Sequence, residues 1–439
     1  MAIVRASGPL ALELARRAFV AAWPLRDRVA TVGRVVDARG ATIDEGLALY
    51  FAGPRSATGE DVLELHVHGS PAVARETLAV LLAAGARLAG PGEFTRRAFE
   101  HGKLDLSAAE AVADLIEAEH RSAARAAAAR LSGGLAAEVE RVRAGVAAVL
   151  EELAAAVDFP DEVEEPPQPG LRARLQAARD ALAALARTWE HGRLVREGVA
   201  VAIVGAPNAG KSSLLNALLG AERALVSDLP GTTRDTIEET LALDGFVARL
   251  VDTAGIRQLA NSHEPAQRLE AAGIERSRAA LEQARVALVV VDASAPLSTA
   301  AREILAGTRG RERVVLYNKA DAGRAAYDAR AADERDALLG SAFDRATVAA
   351  VKAALERVVL GDERVDLERP SLANARQAGA VLEALRSLDF ALETLAAGAP
   401  ADLLAGDLMA ATRALGELTG SEATEEVLEG IFRRFCIGK

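Results

Sequence analysis

Val199-Ala200-Val201-Ala202-Ile203-Val204 runs into Gly205-Ala206-Pro207-Asn208-Ala209-Gly210-Lys211-Ser212-Ser213, an apolar stretch that breaks into a glycine-bounded loop. Six successive apolar residues predict a strand buried on both faces. Ser213–Leu219 predicts the helix that follows. Gly205–Ser212 fits G-x-x-x-x-G-K-[ST], the spacing of a phosphate-binding loop. Its glycines let backbone N–H groups turn toward a β-phosphate. Lys211 brings positive charge to the β- and γ-phosphates, and the Ser212 hydroxyl is a Mg2+ ligand. The helix N-terminus adds its own affinity for anions. Asn208, Ala209, Gly210 and Ser213 complete this part of the expected nucleotide contacts. The bland alternative is a glycine turn with no ligand.

Working outward, Gly231-Thr232-Thr233-Arg234-Asp235 stands where a first switch belongs, with Ser227-Asp228-Leu229-Pro230 before it also among the expected GTP contacts, and Thr233 is the candidate to complete the Mg2+ shell. Asp252-Thr253-Ala254-Gly255 follows the strand-like Ala248–Val251. Asp252 suits an outer contact to Mg2+, and Gly255 a backbone N–H aimed at the γ-phosphate. Asn318-Lys319-Ala320-Asp321 follows Val314–Tyr317. An aspartate there accepts from both guanine N1–H and N2–H, which adenine does not offer. Ser341-Ala342 is the candidate last base-contacting turn. These motifs, in this order, predict binding of GTP and GDP and hydrolysis of GTP.

Many GTPases orient the attacking water with a glutamine where this chain has Ile256. Glu270 is the candidate to replace it, although spacing alone favours a solvated helix face. No arginine finger is evident. A K+ ion beside Asn208, with oxygens from Ser227–Thr232, is one source of the missing charge; an asparagine that only braces the loop is the other reading.

The flanks divide by pattern. Residues 1–103 mix strands, at Ala2–Arg5 and Val62–His68, with a helix at Pro71–Ala84, which reads as α+β. Residues 104–197 are helical, with Leu106, Val112, Leu115 and Ile116, then Leu131, Leu135, Val139, Val142, Val146 and Val149, at helical spacing. Phe159–Gly170, acidic and proline-rich, reads as a loop, with helix resuming over Leu171–Val195. Residues 198–362 alternate strand and helix, the pattern of a parallel sheet wrapped by helices, and 363–439 are helical again. A helical region on both sides of an α/β domain predicts insertion of that domain into one discontinuous helical domain.

With 439 residues, two or three domains are expected. A net charge of −11 argues against broad electrostatic binding of nucleic acid. The single cysteine, Cys436, excludes an intrachain disulfide. No apolar stretch is long enough to cross a bilayer. A cytoplasmic protein without membrane association is expected.

Beyond the G motifs, Gly59-Glu60-Asp61-Val62-Leu63-Glu64-Leu65, Pro91-Gly92-Glu93-Phe94-Thr95-Arg96-Arg97-Ala98-Phe99, Lys103-Leu104-Asp105-Leu106 and the terminal Phe435-Cys436-Ile437-Gly438-Lys439 are absent from other GTPases. With them the chain resembles the MnmE (TrmE) family of tRNA modification GTPases over nearly its whole length. The resemblance implies a folate-binding, dimerising domain over 1–103, in which the family's first strand, before the equivalent of Ala2, is expected to be missing. It implies a helical domain from 104–197 and 363–439, and a G domain over 198–362. It implies a homodimer activated by K+, with Asn208, Ser227, Leu229 and Thr232 as K+ ligands and Glu270 positioning water. Arg5, Glu64, Lys103 and Lys439 are implied as folate contacts. The donor would be 5,10-methylenetetrahydrofolate or a formyl-folate. The implied partner is the FAD-dependent MnmG, with tRNA as substrate, modified at C5 of the wobble uridine. Cys436 is a candidate for that chemistry, and a lone thiol is more often a small buried hydrophobe. Gln377 stands where the family has histidine. The alternative is a regulatory GTPase switch that docks on the ribosome and uses no folate.

Overall fold

A computed structural model of the chain describes residues 1–21, 24–118, 120–159, 161–162, 164, 166–220, 239–243, 246–251, 279–323, 336–361, 371–435 and 438. It divides into two compact units. One holds residues 1–117, 127–186 and 375–439; the other holds 118–126 and 187–374.

In the first unit, β1 (Ala2–Ser7), α1 (Ala11–Ala18), β2 (Phe19–Val20), β3 (Thr31–Val36), β4 (Thr42–Phe51), β5 (Val62–Val67) and α2 (Pro71–Ala83) form an α+β domain. Its five-stranded antiparallel sheet has the order β1-β5-β4-β3-β2. Alternation along the strands sends Val4, Ala48, Leu63 and Leu65 to one face, where Leu14, Ala15 and Leu81 of α1 and α2 cover them. The other face carries Arg5 and Glu64, opposite each other in register.

The helical part begins with α3 (Glu93–Glu100) and α4 (Leu106–Glu117), then α5 (Arg121–Leu131), α6 (Gly134–Asp158) and α7 (Gln168–Glu197). After the second unit come α11 (Ala375–Ala396), α12 (Ala401–Thr419) and α13 (Glu425–Phe432). Three helices carry buried stripes at alternating spacings of three and four: Leu135, Val139, Val142, Val146, Val149 and Leu153 on α6; Val381, Ala384, Leu388, Ala391 and Leu395 on α11; Leu404, Leu408, Ala411, Leu415 and Leu418 on α12. Such stripes pack as seams, and α12 packs against both α6 and α11. Leu115 and Ile116, which helical spacing puts on the α4 stripe, are 36% and 45% exposed. The α4 core is instead small, with Ser107, Ala108, Ala109 and Ala111 buried behind Leu106. The loop expected over 159–170 is shorter, because α7 starts at Gln168. Pro169 lies in its first turn, where a missing N–H costs no helical bond.

In the second unit, β6 (Val199–Val204), α8 (Lys211–Gly220), β7 (Glu239–Ala242), β8 (Val247–Val251), β9 (Val286–Asp292), α9 (Thr299–Gly307), β10 (Arg313–Asn318), β11 (Leu338–Leu339) and α10 (Arg345–Leu360) follow in order. The sheet order is β11-β10-β9-β6-β8-β7. One face packs Val201, Ile203, Leu288 and Val290 on Leu214 and Leu218 of α8 and Val351 and Leu355 of α10. The other packs Ala202, Val204, Val289 and Tyr317 on Ile304 and Leu305 of α9. The sheet is not wholly parallel as the strand–helix alternation predicts: β7 runs antiparallel to β8. Only residues 243–246 join the two, too few for a parallel crossover. β6 has β8 on one side and β9 on the other. The strand order therefore switches at β6, where open α/β sheets bind ligands at the carboxyl ends of their strands.

Among the described residues, no helix is long and apolar enough to cross a membrane.

Candidate active site

The loop after β6 has a conformation that its sequence demands. Asn208 and Gly210 both have positive φ, 62° and 96°. Left-handed residues in such a turn point successive N–H groups into one concavity, which suits an anion. A Cβ on Gly205 would stand 2.2 Å from the Val290 carbonyl oxygen, so only glycine fits that approach to β9. The donor set, backbone N–H groups at the start of α8 with one ammonium, suits a polyphosphate. Ser212, in the first turn of α8, supplies a hydroxyl oxygen of the kind Mg2+ takes.

Burial pushes the Lys211 ammonium down from 10.5 to about 8. Its Nζ donates to the carbonyl oxygens of Gly205 at 2.7 Å and Ala206 at 2.9 Å. Phosphates stabilise the charged form, so binding above pH 8 must take up a proton while binding below it need not. GDP affinity is therefore expected to fall about fourfold between pH 7 and 8.5. Lys211→Arg, which stays charged, is expected to bind more weakly but without that dependence. Calorimetric titration at the two pH values checks this, and equal wild-type affinities contradict it.

Asn318 ties three motifs together. It is 2% exposed. Its Nδ2 donates to the Ala209 carbonyl oxygen at 2.9 Å, and its Oδ1 accepts from the Ala342 N–H at 2.8 Å. One buried amide thus links the phosphate loop, the end of β10 and the Ser341-Ala342 turn. Lys319 has φ of 66° and its Nζ pairs with Asp292 Oδ2 at 2.6 Å. Burial raises the Asp292 carboxyl, but the bonds from Lys319 and Ser294 outweigh it and hold the group below its usual value. Asp321 is exposed beyond this braced turn. The structure therefore brings together Asn208, Ala209, Gly210, Lys211, Ser212 and Ser213 on one side, and Asn318, Lys319, Asp321, Ser341 and Ala342 on the other.

Ser227, Asp228, Leu229, Pro230, Gly231, Thr232, Thr233, Asp252, Thr253, Ala254, Gly255, Glu270, Cys436 and Lys439 lie outside the described residues. Asp292 was not singled out from sequence. Its signal is a carboxylate at the carboxyl end of a buried apolar strand.

In the first unit, Arg5 Nε donates to Glu64 Oε1 at 2.8 Å, and His66 Nε2 lies 3.1 Å from Glu64 Oε2. Burial raises the Glu64 carboxyl, but the bonds from His66 and Arg5 outweigh it and leave it below its usual value. The Arg5 guanidinium stands 5.7 Å from the centre of the Phe94 ring. Arg5, Phe94, Arg97 and Gly438 line a cavity of about 580 Å³. Lys103 is exposed at the turn that closes α3.

The motifs outside the G domain converge on this region. Arg97 Nη1 donates to Glu60 Oε2 and Arg97 Nη2 to Glu93 Oε1, both at 2.6 Å, and Ser7 Oγ donates to Glu60 at 2.8 Å. The Arg87 guanidinium, with the Gly90 N–H and Arg97, holds the Glu93 carboxyl down at about 2. A Cβ on Gly92 would meet the Phe432 carbonyl oxygen at 2.9 Å and Phe435 Cβ at 3.1 Å. Phe432 and Phe435 pack on Ala109 of α4. Gly92 thus lets the terminal segment dock against α3 and α4. Gln377 is buried and donates to Glu110 Oε2 at 2.7 Å, beside the two-pronged Arg376–Glu110 pair.

Comparison with known proteins agrees with this architecture. The profile of the GTP-binding protein TrmE N-terminus matches residues 1–103, and that of the MnmE helical domain matches residues 106–436. A tRNA modification GTPase MnmE from Roseiflexus sp. (strain RS-1) is 43% identical over 450 residues, covering 100% of this chain and 96% of the relative. One from Moorella thermoacetica is 39% identical, with the same coverage. The solved FeoB G-domain from Methanococcus jannaschii matches with 20% identity and a TM-score of 0.26, covering 37% of this chain and 98% of that one. The chain is a GTP-hydrolysing enzyme in three parts: an α+β N-terminal domain, a discontinuous helical domain and an inserted α/β P-loop domain. On identity across its full length and on both family profiles, it belongs to the MnmE family of tRNA modification GTPases.

Proposed function

We propose that this enzyme is a K+-activated GTP hydrolase that acts in C5 modification of the wobble uridine of tRNA. It works as a cytoplasmic homodimer, in a hetero-oligomer with an FAD-dependent partner of the MnmG type, and uses a folate as one-carbon donor. The relatives carry the name tRNA modification GTPase, and that name brings tRNA to this chain. It also disfavours the ribosome-docking alternative.

The observation that carries the folate part is Arg5, which pairs with Glu64, stands beside Phe94 and lines a cavity of about 580 Å³, a size suited to a small molecule. Glu64 Oε2 keeps a lone pair for a pterin N–H, and Arg5 offers N–H donors toward a carboxylate. Lys103 and Lys439 are the further cations for a glutamate tail. The domains run 1–103, 104–197 with 363–439, and 198–362. Ser212 and Thr233 hold Mg2+, and Asp252 and Gly255 serve the metal and the γ-phosphate. Asn208, Ser227, Leu229 and Thr232 hold K+, which would supply positive charge beside the phosphates. Glu270 positions the attacking water, and Cys436 is a candidate in the modification chemistry.

In cells lacking this chain, mass analysis of tRNA is expected to find unmodified wobble uridine. A Glu64→Ala chain should fail to restore the modification while still hydrolysing GTP. Normal modification without the chain rejects the proposal. In purified protein, hydrolysis should rise when K+ replaces Na+, and Asn208→Ala should erase the difference. Equal rates in both salts remove the cation from the account.

A further inference from the structure

We infer that Phe343 is an aromatic wall on which the guanine ring of the bound nucleotide stacks. The inference rests on the guanine reading of the Asn318–Asp321 turn and adds a residue to it.

Phe343 is 85% exposed. It directly precedes Asp344, the N-cap of α10, whose side chain accepts from the N–H groups of Ala346 and Thr347. An apolar residue just before an N-cap ordinarily packs against the fourth residue of the helix, fixing how the chain enters it. Here that residue is Val348, which packs on the core of its own unit. Phe343 is left in solvent, so its ring does not serve as that staple.

The backbone on both sides of the ring is held. The Ala342 N–H donates to Asn318 Oδ1 at 2.8 Å, and the Asp344 N–H donates to the Ser341 carbonyl oxygen at 2.9 Å. A Cβ on Gly340 would stand 2.2 Å from Thr347 Oγ1, so the turn lies tight on α10. A fixed frame thus presents an uncovered aromatic ring. That frame is bonded to the amide of Asn318, which also bonds the phosphate loop. A nucleotide with its phosphates in that loop and its base at Asp321 passes beside this turn.

Stacking a base on an aromatic ring is worth about 1–3 kcal/mol and tolerates any base, because every base has a flat face. Phe343 therefore supplies affinity, while Asp321 supplies selectivity.

The test is calorimetric titration of the full-length protein with GDP and with XDP. Phe343→Ala is expected to raise the Kd for GDP about tenfold or more, and Phe343→Tyr to restore it. Asp321→Asn should shift preference from GDP to XDP, because an asparagine can donate to the xanthine C2 oxygen. Phe343→Ala added to that variant should weaken XDP by a similar factor. If Asp321→Asn shifts the preference but Phe343→Ala leaves GDP affinity within about twofold, stacking is overturned and the base reading stands. If Asp321→Asn leaves the preference for GDP intact, the base reading and the inference fall together.

Discussion

Gly210→Ala is expected to weaken GDP and GTP binding by about two to three orders of magnitude. The residue has φ of 96°, where a Cβ is strained, and that Cβ would stand 2.2 Å from Asn318 Nδ2. Asn318 is buried and cannot swing into water. Moving it breaks its bond to the Ala209 carbonyl and releases the Ala342 N–H. Backbone strain costs about 1–3 kcal/mol, and a buried amide stripped of partners costs about the same again. Tenfold in affinity corresponds to about 1.4 kcal/mol. Gly220→Ala, where an added Cβ meets nothing within 4 Å, is the control and should bind normally. Titration with GDP reads both variants. Equal affinity for Gly210→Ala and wild type would show that the Asn318 bridge does not hold the site.

Arg97→Met is expected to destabilise the N-terminal domain by about 2–4 kcal/mol, because it leaves Glu60 without its cation and Glu93 with Arg87 alone. Glu60 and Glu93 have side chains only 26% and 18% exposed, so water cannot fully replace Arg97. Burial raises the Glu60 carboxyl, and the bonds from Arg97 and Ser7 bring it below its usual value. The pH dependence has a definite sign. Glu93 titrates at about 2 in the folded chain against 4.5 in an open one. Its stabilisation is complete above pH 4.5 and is lost as pH falls toward 2. Glu60 shifts in the same direction, with Arg97 its main partner, and Arg97 contributes a share at Glu93, so the gap between wild type and Arg97→Met should be full at pH 7 and narrow below pH 4.5. Urea unfolding at pH 7 and pH 4 measures it. A gap under about 0.5 kcal/mol at pH 7, the size of an ordinary surface change, would make the network ornamental to stability.

How much was legible before the structure depended on how local each signal was. Val199–Val204 came out as a strand with the expected bounds, because an unbroken apolar run beside a glycine turn leaves little choice. The positions of Lys211 at the head of α8 and Asn318 at the end of β10 were legible from spacing within a few residues. What spacing could not show was that Asn318 reaches back across more than a hundred residues to the Ala209 carbonyl. β3 and β4 were not singled out: Gly33, Gly46, Asp44 and Glu45 interrupt their alternation, and pairing across the sheet decides them. The antiparallel β7 was missed because alternation of strand and helix says nothing about a hairpin at the sheet edge. Glu60, Glu93 and Arg97 stood in recognisable motifs, yet only the fold showed that those motifs exist partly to pair with each other. Phe343 carries no signal in sequence, since an aromatic before an N-cap reads as a staple.

One buried amide, that of Asn318, joins the phosphate loop to the turn proposed to read guanine. Equilibrium titration of the purified full-length protein with GDP and ADP, in Mg2+ and K+, tests it most directly. GDP should bind with a stoichiometry of one per chain, and ADP should not compete at a hundredfold excess. Binding of neither nucleotide, or equal binding of both, would contradict the account.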